Sequence, residues 1–270
     1  MIAHALLAVW LLATWACVGA VAWRAIHALT AGAWGVEVDM PLRWQRAWLP
    51  LVAMLGLPFL IAATHIFPWI AQAPAPSRQW YLNYPALAAR TVACIVVWAA
   101  GRWLAGRAPA LCLILWLFAC GVFANDWIVS LQPEWRSSAI GLVAAVGQLC
   151  VAMAIAIVVV TGRAGDARAE SVRHDLAGLL VALCLGWAYL VGIDYLTAWM
   201  ADLPYETVWY LPRTRGTWAG VAVAALLLHL VIPCGLLLPR ALRARPGVLR
   251  WAAVSVLAGE ACHLAWMTMP

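Results

Sequence analysis

Eight apolar runs, each near the length of a membrane-spanning helix, constrain this chain more than any other feature of its sequence. They cover residues 2–23, 47–70, 86–105, 109–131, 138–161, 175–200, 218–239 and 249–269. About 20 apolar residues in a helix cross the hydrocarbon core of a bilayer. The chain is 66% apolar, whereas soluble domains are nearer half. We therefore predict an all-α, polytopic membrane protein with about eight transmembrane helices. The longest loops (24–46, 71–85, 162–174 and 201–217) are too short for a separate soluble domain.

Arginine supplies all the positive charge, and it is unevenly distributed between the two sets of loops. Twelve arginines fall on one side: Arg24, Arg43, Arg46, Arg102, Arg107, Arg163, Arg168, Arg173, Arg240, Arg243, Arg245 and Arg250. The other side has Arg78, Arg136, Arg213 and Arg215, and Arg90 lies just inside the third run. Basic loops stay in the cytoplasm. We thus expect the basic side in the cytoplasm and both termini facing outward. The net charge of +6 indicates orientation, and no basic patch suited to nucleic acid is found.

The two halves of the chain share a layout. Runs two and six carry a polar residue near the outer end, His65 and Asp194, and an aromatic loop follows each. Runs four and eight end with Asp126 and His263, each seven residues before a proline. This layout predicts two four-helix units, residues 1–137 and 138–270, arranged as a parallel repeat about an axis along the membrane normal.

Ionisable residues inside the runs form two layers. The outer layer, five to eight residues from the outer boundary, contains His65, Asp126, Asp194 and His263. The inner layer contains His229 and Glu260, near the middle of runs seven and eight. Because consecutive helices are usually neighbours, His229 and Glu260 are placed to meet. Buried charges are costly in lipid and often mark proton paths, so the layers predict proton movement toward the outside. The alternative is that each group only bonds a neighbouring helix.

The cysteines give no sign of a metal centre. All eight lie in apolar runs, and none forms a CxxC, CxxCH or Cys/His cluster. We interpret them as small core residues, and we expect the chain itself to hold no metal and no cofactor.

Four stretches resemble a known family, in the family's order. They read LPLVAMLGLPFLIAATHIFPW, NDWIVSLQPEWRSSAIGLVAAVGQ, DYLTAWMADLPYETVWYLPRTRGTW and HLVIPCGLLLPRAL. Together they resemble the F subunit of alternative complex III, a bacterial quinol:electron-acceptor oxidoreductase, over roughly Arg43 to Pro270. That subunit belongs with the polysulfide-reductase-like membrane subunits, which are built around two four-helix bundles.

The resemblance implies a quinone as ligand, no haem in this subunit, and a proton-conducting role beside the related C subunit. It also implies a place in the bacterial inner membrane, so the outward-facing termini are expected in the periplasm. The motif matches fall on His65, Asp126, Glu206, Arg213 and His229. At Asp194 and His263 the family is expected to carry an amide and an acid instead, and this chain is shorter than the usual ten-helix member.

We therefore expect a membrane subunit of a quinol-oxidising respiratory complex that lines a quinone pocket or a proton path near the periplasmic side. In this interpretation Asp126 and His263 relay quinol protons, His65 and Asp194 complete the outer layer, and Glu260 with His229 extends it inward. The expected partners are lipids, the related membrane subunit, and iron–sulfur and c-haem subunits. The alternatives are a structural or assembly subunit of that complex and a stand-alone proton or small-solute transporter. Co-purification with a metalloprotein partner distinguishes the transporter from the two subunit roles.

Overall fold

The computed structural model describes residues 2–72, 74–162 and 167–269, without the side chains of 167–169. Every regular element in these ranges is helical. Within the described residues, eight helices are long and apolar enough to cross a membrane. We number them in chain order: α1 (Ile2–Thr30), α2 (Ala33–Ile61), α3 (Tyr84–Arg107), α4 (Pro109–Leu131), α5 (Ile140–Val160), α6 (Glu170–Ala201), α7 (Gly216–Leu237) and α8 (Pro246–Thr268). The prediction of an all-α polytopic membrane protein is confirmed.

The predicted loop 24–46 is wrong. Helix α1 continues to Thr30, and α2 begins at Ala33 after a two-residue turn in which Ala31 and Gly32 have φ of 55° and 105°. The cause is tertiary packing. On α2, Val38 and Leu42 are buried in the same apolar cluster as residues of α5 and α6, so a stretch too polar to read as a span still folds as a helix. The loop at 162–174 is also shorter than predicted, because α6 is preceded by a helical turn from Ala167.

Helix α2 is broken where prolines interrupt it. Its pieces are Ala33–Ala47, Leu49–Met54 and Leu57–Ile61, and two short helices, Ala63–Ile66 and Pro68–Ala71, follow. Proline lacks the N–H that continues a helix, which explains why Pro50, Pro58 and Pro68 each stand in the first turn of a piece. The indole of Trp10 on α1 donates to the carbonyl of Val52 at 2.8 Å and so holds the interrupted region against α1.

Helices α1 and α5 form the centre of the bundle. Helix α1 contacts α2, α3, α4, α5 and α8, and α5 contacts α1, α2, α4, α6 and α8. Gly19 allows the closest approach, because a β-carbon there would overlap the backbone of Gln148 on α5. The central helices are the first helices of the two predicted four-helix units; the internal repeat itself stays a prediction.

The remaining elements lie at the two ends of the bundle. One end carries the loops 74–83, 132–139 and 202–215, with a 3₁₀ turn at Pro76–Arg78, another at Val129–Leu131 and the short helix Pro204–Arg213. We call it the aromatic end. The opposite, arginine-rich end carries the α1–α2 turn and the short helix Arg240–Arg243. Arg163 and the side chain of Arg168, which count toward the predicted orientation, lie outside the described part of the chain.

Cysteine labelling tests the predicted orientation. Ser77 and Thr214 are exposed at the aromatic end, whereas Ala167, whose side chain is not described, begins the helical turn that precedes α6 at the other end. A membrane-impermeant thiol reagent added to intact cells should label S77C and T214C and leave A167C unlabelled. The native thiols give little background, since seven are buried and only Cys262 is partly exposed. Labelling of A167C from outside would show that the orientation is opposite to the predicted one, and the predicted direction of the proton path would then be wrong.

Candidate functional site

The inner-layer residues meet in one buried group, which we call the Glu260 cluster: Trp15, Trp187, His229, Glu260 and His263. The Nδ1 atoms of His229 and His263 lie 3.3 and 3.6 Å from the same carboxylate oxygen, Oε2 of Glu260. The other oxygen, Oε1, accepts a hydrogen bond from the indole of Trp15 at 3.2 Å. His229, Glu260 and His263 are at most 3% exposed. The predicted meeting of His229 with Glu260 is thus observed, and His263 joins them.

Local backbone features bring these side chains together. Glu260 and His263 are three residues apart on α8, so they project from the same face of the helix. His229 lies in a single π-helical turn, Leu227–Val231. Pro233 favours such a turn, because it has no N–H for the carbonyl of His229. The hydroxyl of Ser255 on α8 donates to the carbonyl of Leu228 in this turn, at 2.6 Å.

Two glycines make room for the cluster. A β-carbon at Gly259 would lie 2.6 Å from the backbone nitrogen of His229, so α7 can approach α8 only because this residue has no side chain. A β-carbon at Gly147 of α5 would overlap the carboxylate of Glu260. The carboxylate therefore occupies space that an ordinary residue on α5 would fill.

Trp187 fixes the two imidazoles. Its ring stacks on His229 with centroids 4.1 Å apart and an angle of 15° between the planes. Its indole N–H donates to Nδ1 of His263 at 3.3 Å. That nitrogen is therefore an acceptor, and the proton of a neutral His263 ring lies on Nε2. Nε2 of His229 has no hydrogen-bond partner among the described residues, and its Nδ1 faces Oε2 of Glu260 at 3.3 Å without hydrogen-bond alignment. The cluster thus has unused capacity to bind and exchange protons.

A cavity of about 360 Å³ adjoins the cluster. Its walls are mainly apolar and aromatic, with Trp135, Trp187, Tyr195, Trp209, Tyr210 and Trp266 among the lining residues. Asp194 supplies a carboxylate to its wall and His263 an imidazole. Apolar cavities with a few converging polar groups are typical of ligand sites. The two outer-layer residues of the predicted second unit therefore face one cavity.

Asp194 lies between this cavity and a second one. Its Oδ1 accepts from the hydroxyl of Ser137 at 2.6 Å and its Oδ2 from that of Tyr210 at 2.8 Å. Asp194 and Tyr210 also line the second cavity, of about 280 Å³, with Arg136 and Glu206. Burial raises the pKa of Tyr210, so its hydroxyl stays protonated and donates to Asp194. Asp194 is the only carboxylate found on the walls of both cavities within the described ranges.

Asp126 belongs to a different group. Arg90 on α3 holds its carboxylate with two nitrogens, Nε at 2.8 Å from Oδ2 and Nη2 at 2.9 Å from Oδ1. The guanidinium of Arg90 also stacks on the ring of Tyr81, 3.8 Å from its centroid. Burial and the nearby Asp126 carboxylate raise the pKa of Tyr81 to about 12, so this phenol stays neutral. The expected grouping of Asp126 with His263 or His65 is not what the structure shows: its partner is Arg90.

The other predicted site residues are placed as follows. His65 is exposed on the short helix Ala63–Ile66 and, within the described part of the chain, joins neither cluster. Glu206 lines the second cavity. Arg213 is buried and donates to the carbonyls of Trp266 and Met267 in the last turn of α8, both at 3.1 Å. Burial lowers the pKa of Arg213 to about 9, which leaves it charged at neutral pH and suited to a helix C-terminus.

Several residues that shape the site were not predicted. Trp187 and Trp15 read as ordinary apolar residues of their runs, and Ser137 and Tyr210 as loop residues. Gln148 was also missed: it is fully buried on α5, and its side-chain oxygen accepts from the indole of Trp116 at 2.8 Å. A polar amide within the apolar run 138–161 was the available signal for Gln148. For the tryptophans the sequence carries none.

The described residues include no group of three or more His, Cys, Asp or Glu side chains arranged to hold a metal ion. In the comparisons with known proteins, no family model matches the chain and no curated protein matches it significantly.

Proposed function

We propose that this chain is a quinone-binding membrane subunit of a quinol-oxidising respiratory complex, in which the cavity beside His263 binds the quinol head. One observation carries the proposal. The imidazole of His263 lies on the wall of an aromatic-lined cavity within the bundle, and it contacts the buried carboxylate of Glu260, which also contacts the imidazole of His229. The resemblance to the F subunit of alternative complex III supports the same ligand class and a place in the bacterial inner membrane.

A quinol suits this cavity, because both have apolar and polar parts. Its flat ring is apolar and packs against indole rings, and its hydroxyls need polar partners. Oxidation releases two protons and two electrons. His263 accepts a proton at Nδ1, the nitrogen that carries none in the neutral ring, and the Glu260 carboxylate, 3.6 Å away, stabilises the imidazolium that forms. Asp194, on the wall of the same cavity, is a second proton acceptor. Because it also lines the second cavity, it offers the proton a route to that cavity. The electrons pass to a redox group of a partner subunit, which the proposal requires.

A structural role is the second candidate, and one observation favours it at particular positions. The Arg90–Asp126 pair and the Arg213 contacts join helices, and none of these three residues lines the cavity beside His263. These groups hold helices together whether or not the cavity binds a ligand. The unsatisfied polar atoms of the Glu260 cluster are harder to explain this way, because buried structural groups normally satisfy one another. A transporter working alone remains the third alternative, and co-purification with redox subunits is the test.

Filling the cavity tests ligand binding directly. Ala222 lines the cavity, and phenylalanine there would occupy space that the quinol ring needs. Purified A222F in detergent should bind a short-chain quinone analogue at least about tenfold more weakly than the unmodified protein does. Quenching of tryptophan fluorescence by the analogue measures this binding.

The matched control is L185F, which adds a phenylalanine at an exposed position of α6 that does not line the cavity. It should bind as the unmodified protein does. Equal binding to A222F and L185F, with both proteins folded, would place the analogue elsewhere and remove the basis of the proposal.

A further inference from the structure

Arg46, at the arginine-rich end of the bundle, has a buried polar atom with no partner. Its Nη1 is inaccessible to solvent and has no hydrogen-bond partner among the described residues. The nearest carboxylate, Asp39, lies 4.0 Å from the other terminal nitrogen of Arg46. Asp39 is instead bound by Arg43, whose Nε is 2.7 Å away. A guanidinium nitrogen that is buried without an acceptor is costly, so this geometry favours an added anionic group.

Like charges surround Arg46. Arg24, Arg43 and Arg102 all act on its charge repulsively, and among the described residues Asp39 is the acidic one that opposes them. These arginines come from α1, α2 and α3, so three helices contribute to one site. Counting the described residues alone, four positive charges against one negative charge leave a surplus of three. Such a surplus within one site is stabilised by a bound anion.

Space and surroundings favour a lipid phosphate as that anion. Gly106 on α3 leaves room beside Arg24, whose Nη2 would be 3.8 Å from a β-carbon there. Trp44 and Trp103 directly follow Arg43 and Arg102 and are 57% and 67% exposed. Exposed tryptophans of a membrane protein typically lie at the headgroup level. Guanidinium groups bind phosphate oxygens through paired hydrogen bonds.

We propose that Arg24, Arg43, Arg46 and Arg102 form a binding site for the phosphate of an anionic phospholipid, with its acyl chains along the outside of α2 and α3. Basic pockets between transmembrane helices bind anionic headgroups in this way. The site lies at the end of the bundle opposite the aromatic end, and it is independent of the quinol proposal.

Thermal unfolding of the purified full chain in detergent tests the site, with phosphatidylglycerol, phosphatidylcholine or inorganic phosphate added separately. Phosphatidylglycerol should raise the midpoint, and phosphatidylcholine should not. In R46Q the phosphatidylglycerol concentration for half the effect should rise at least about fivefold, the equivalent of ~1 kcal/mol for one basic residue near an anionic surface. The double variant R24Q/R46Q should lose most of the effect.

The matched control is R250Q, which removes an exposed arginine at the same end but on α8. It should keep the full response, which separates a defined site from a general attraction to positive charge. An equal loss in R250Q and R46Q, or an unchanged response in R46Q, would overturn the proposal. The same stabilisation by inorganic phosphate alone would overturn the assignment to a lipid.

Discussion

Replacing Asp126 with alanine is expected to destabilise the protein by about 3 to 5 kcal/mol, because it leaves a mostly buried Arg90 without its counter-ion. The carboxylate is 1% exposed, and the guanidinium that holds it is 21% exposed, so solvent screens the pair little. The pair joins α3 to α4, and Trp127 adds a second link by donating to the hydroxyl of Thr91 at 3.1 Å. Reversible unfolding in a lipid–detergent mixture measures the change.

The double variant R90M/D126L is the control for this prediction. It removes both charges and replaces them with apolar groups of similar volume, which is often neutral or stabilising for a buried pair. We expect it to recover most of the stability that D126A loses. A loss below about 1 kcal/mol in D126A, the range of an exposed ion pair, would contradict the structural role assigned to Asp126. Since Asp126 does not line the large cavity, D126N should keep quinone-analogue binding.

Replacing Glu260 with glutamine should slow quinol oxidation by the native assembly by about 10²- to 10⁴-fold, the usual effect of losing a general acid–base group. Glutamine keeps the shape of the side chain and can still accept from Trp15, so the fold is expected to survive. It cannot carry the negative charge that stabilises protonated His229 or His263. The rate of quinol-dependent electron transfer in detergent-solubilised native membranes measures the effect.

Glu134 supplies the matched control, since it is an exposed acid at the aromatic end. E134Q removes the same charge and should leave the rate unchanged. If E260Q assembles normally and turns over at the wild-type rate, the Glu260 cluster serves only to join α7 and α8. If E260Q fails to assemble, quinone-analogue binding to H263N, which keeps the carboxylate in place, supplies a second test of the cavity.

The sequence by itself determined the class of the fold and the number of spans. Runs of about twenty apolar residues have few alternatives to a membrane helix, because backbone groups in lipid must satisfy one another within the helix. Proline and the polar ends of the runs located most boundaries within a few residues. The sequence also indicated that His229 and Glu260 belong together, because they lie at similar depth on consecutive helices.

Only the tertiary structure decided which polar residues are partners. A span gives the depth of a residue but not the direction in which it faces around the helix, so Asp126 and His263 appeared equivalent at the same depth. Packing directs Asp126 toward Arg90 on α3 and His263 toward Glu260 and the cavity. Packing also folds residues 24–46 into helices, which the charged residues of that stretch did not indicate. Which side chains meet depends on helix rotation and on close approaches at Gly19, Gly147 and Gly259, which are set by contacts between residues far apart in the chain.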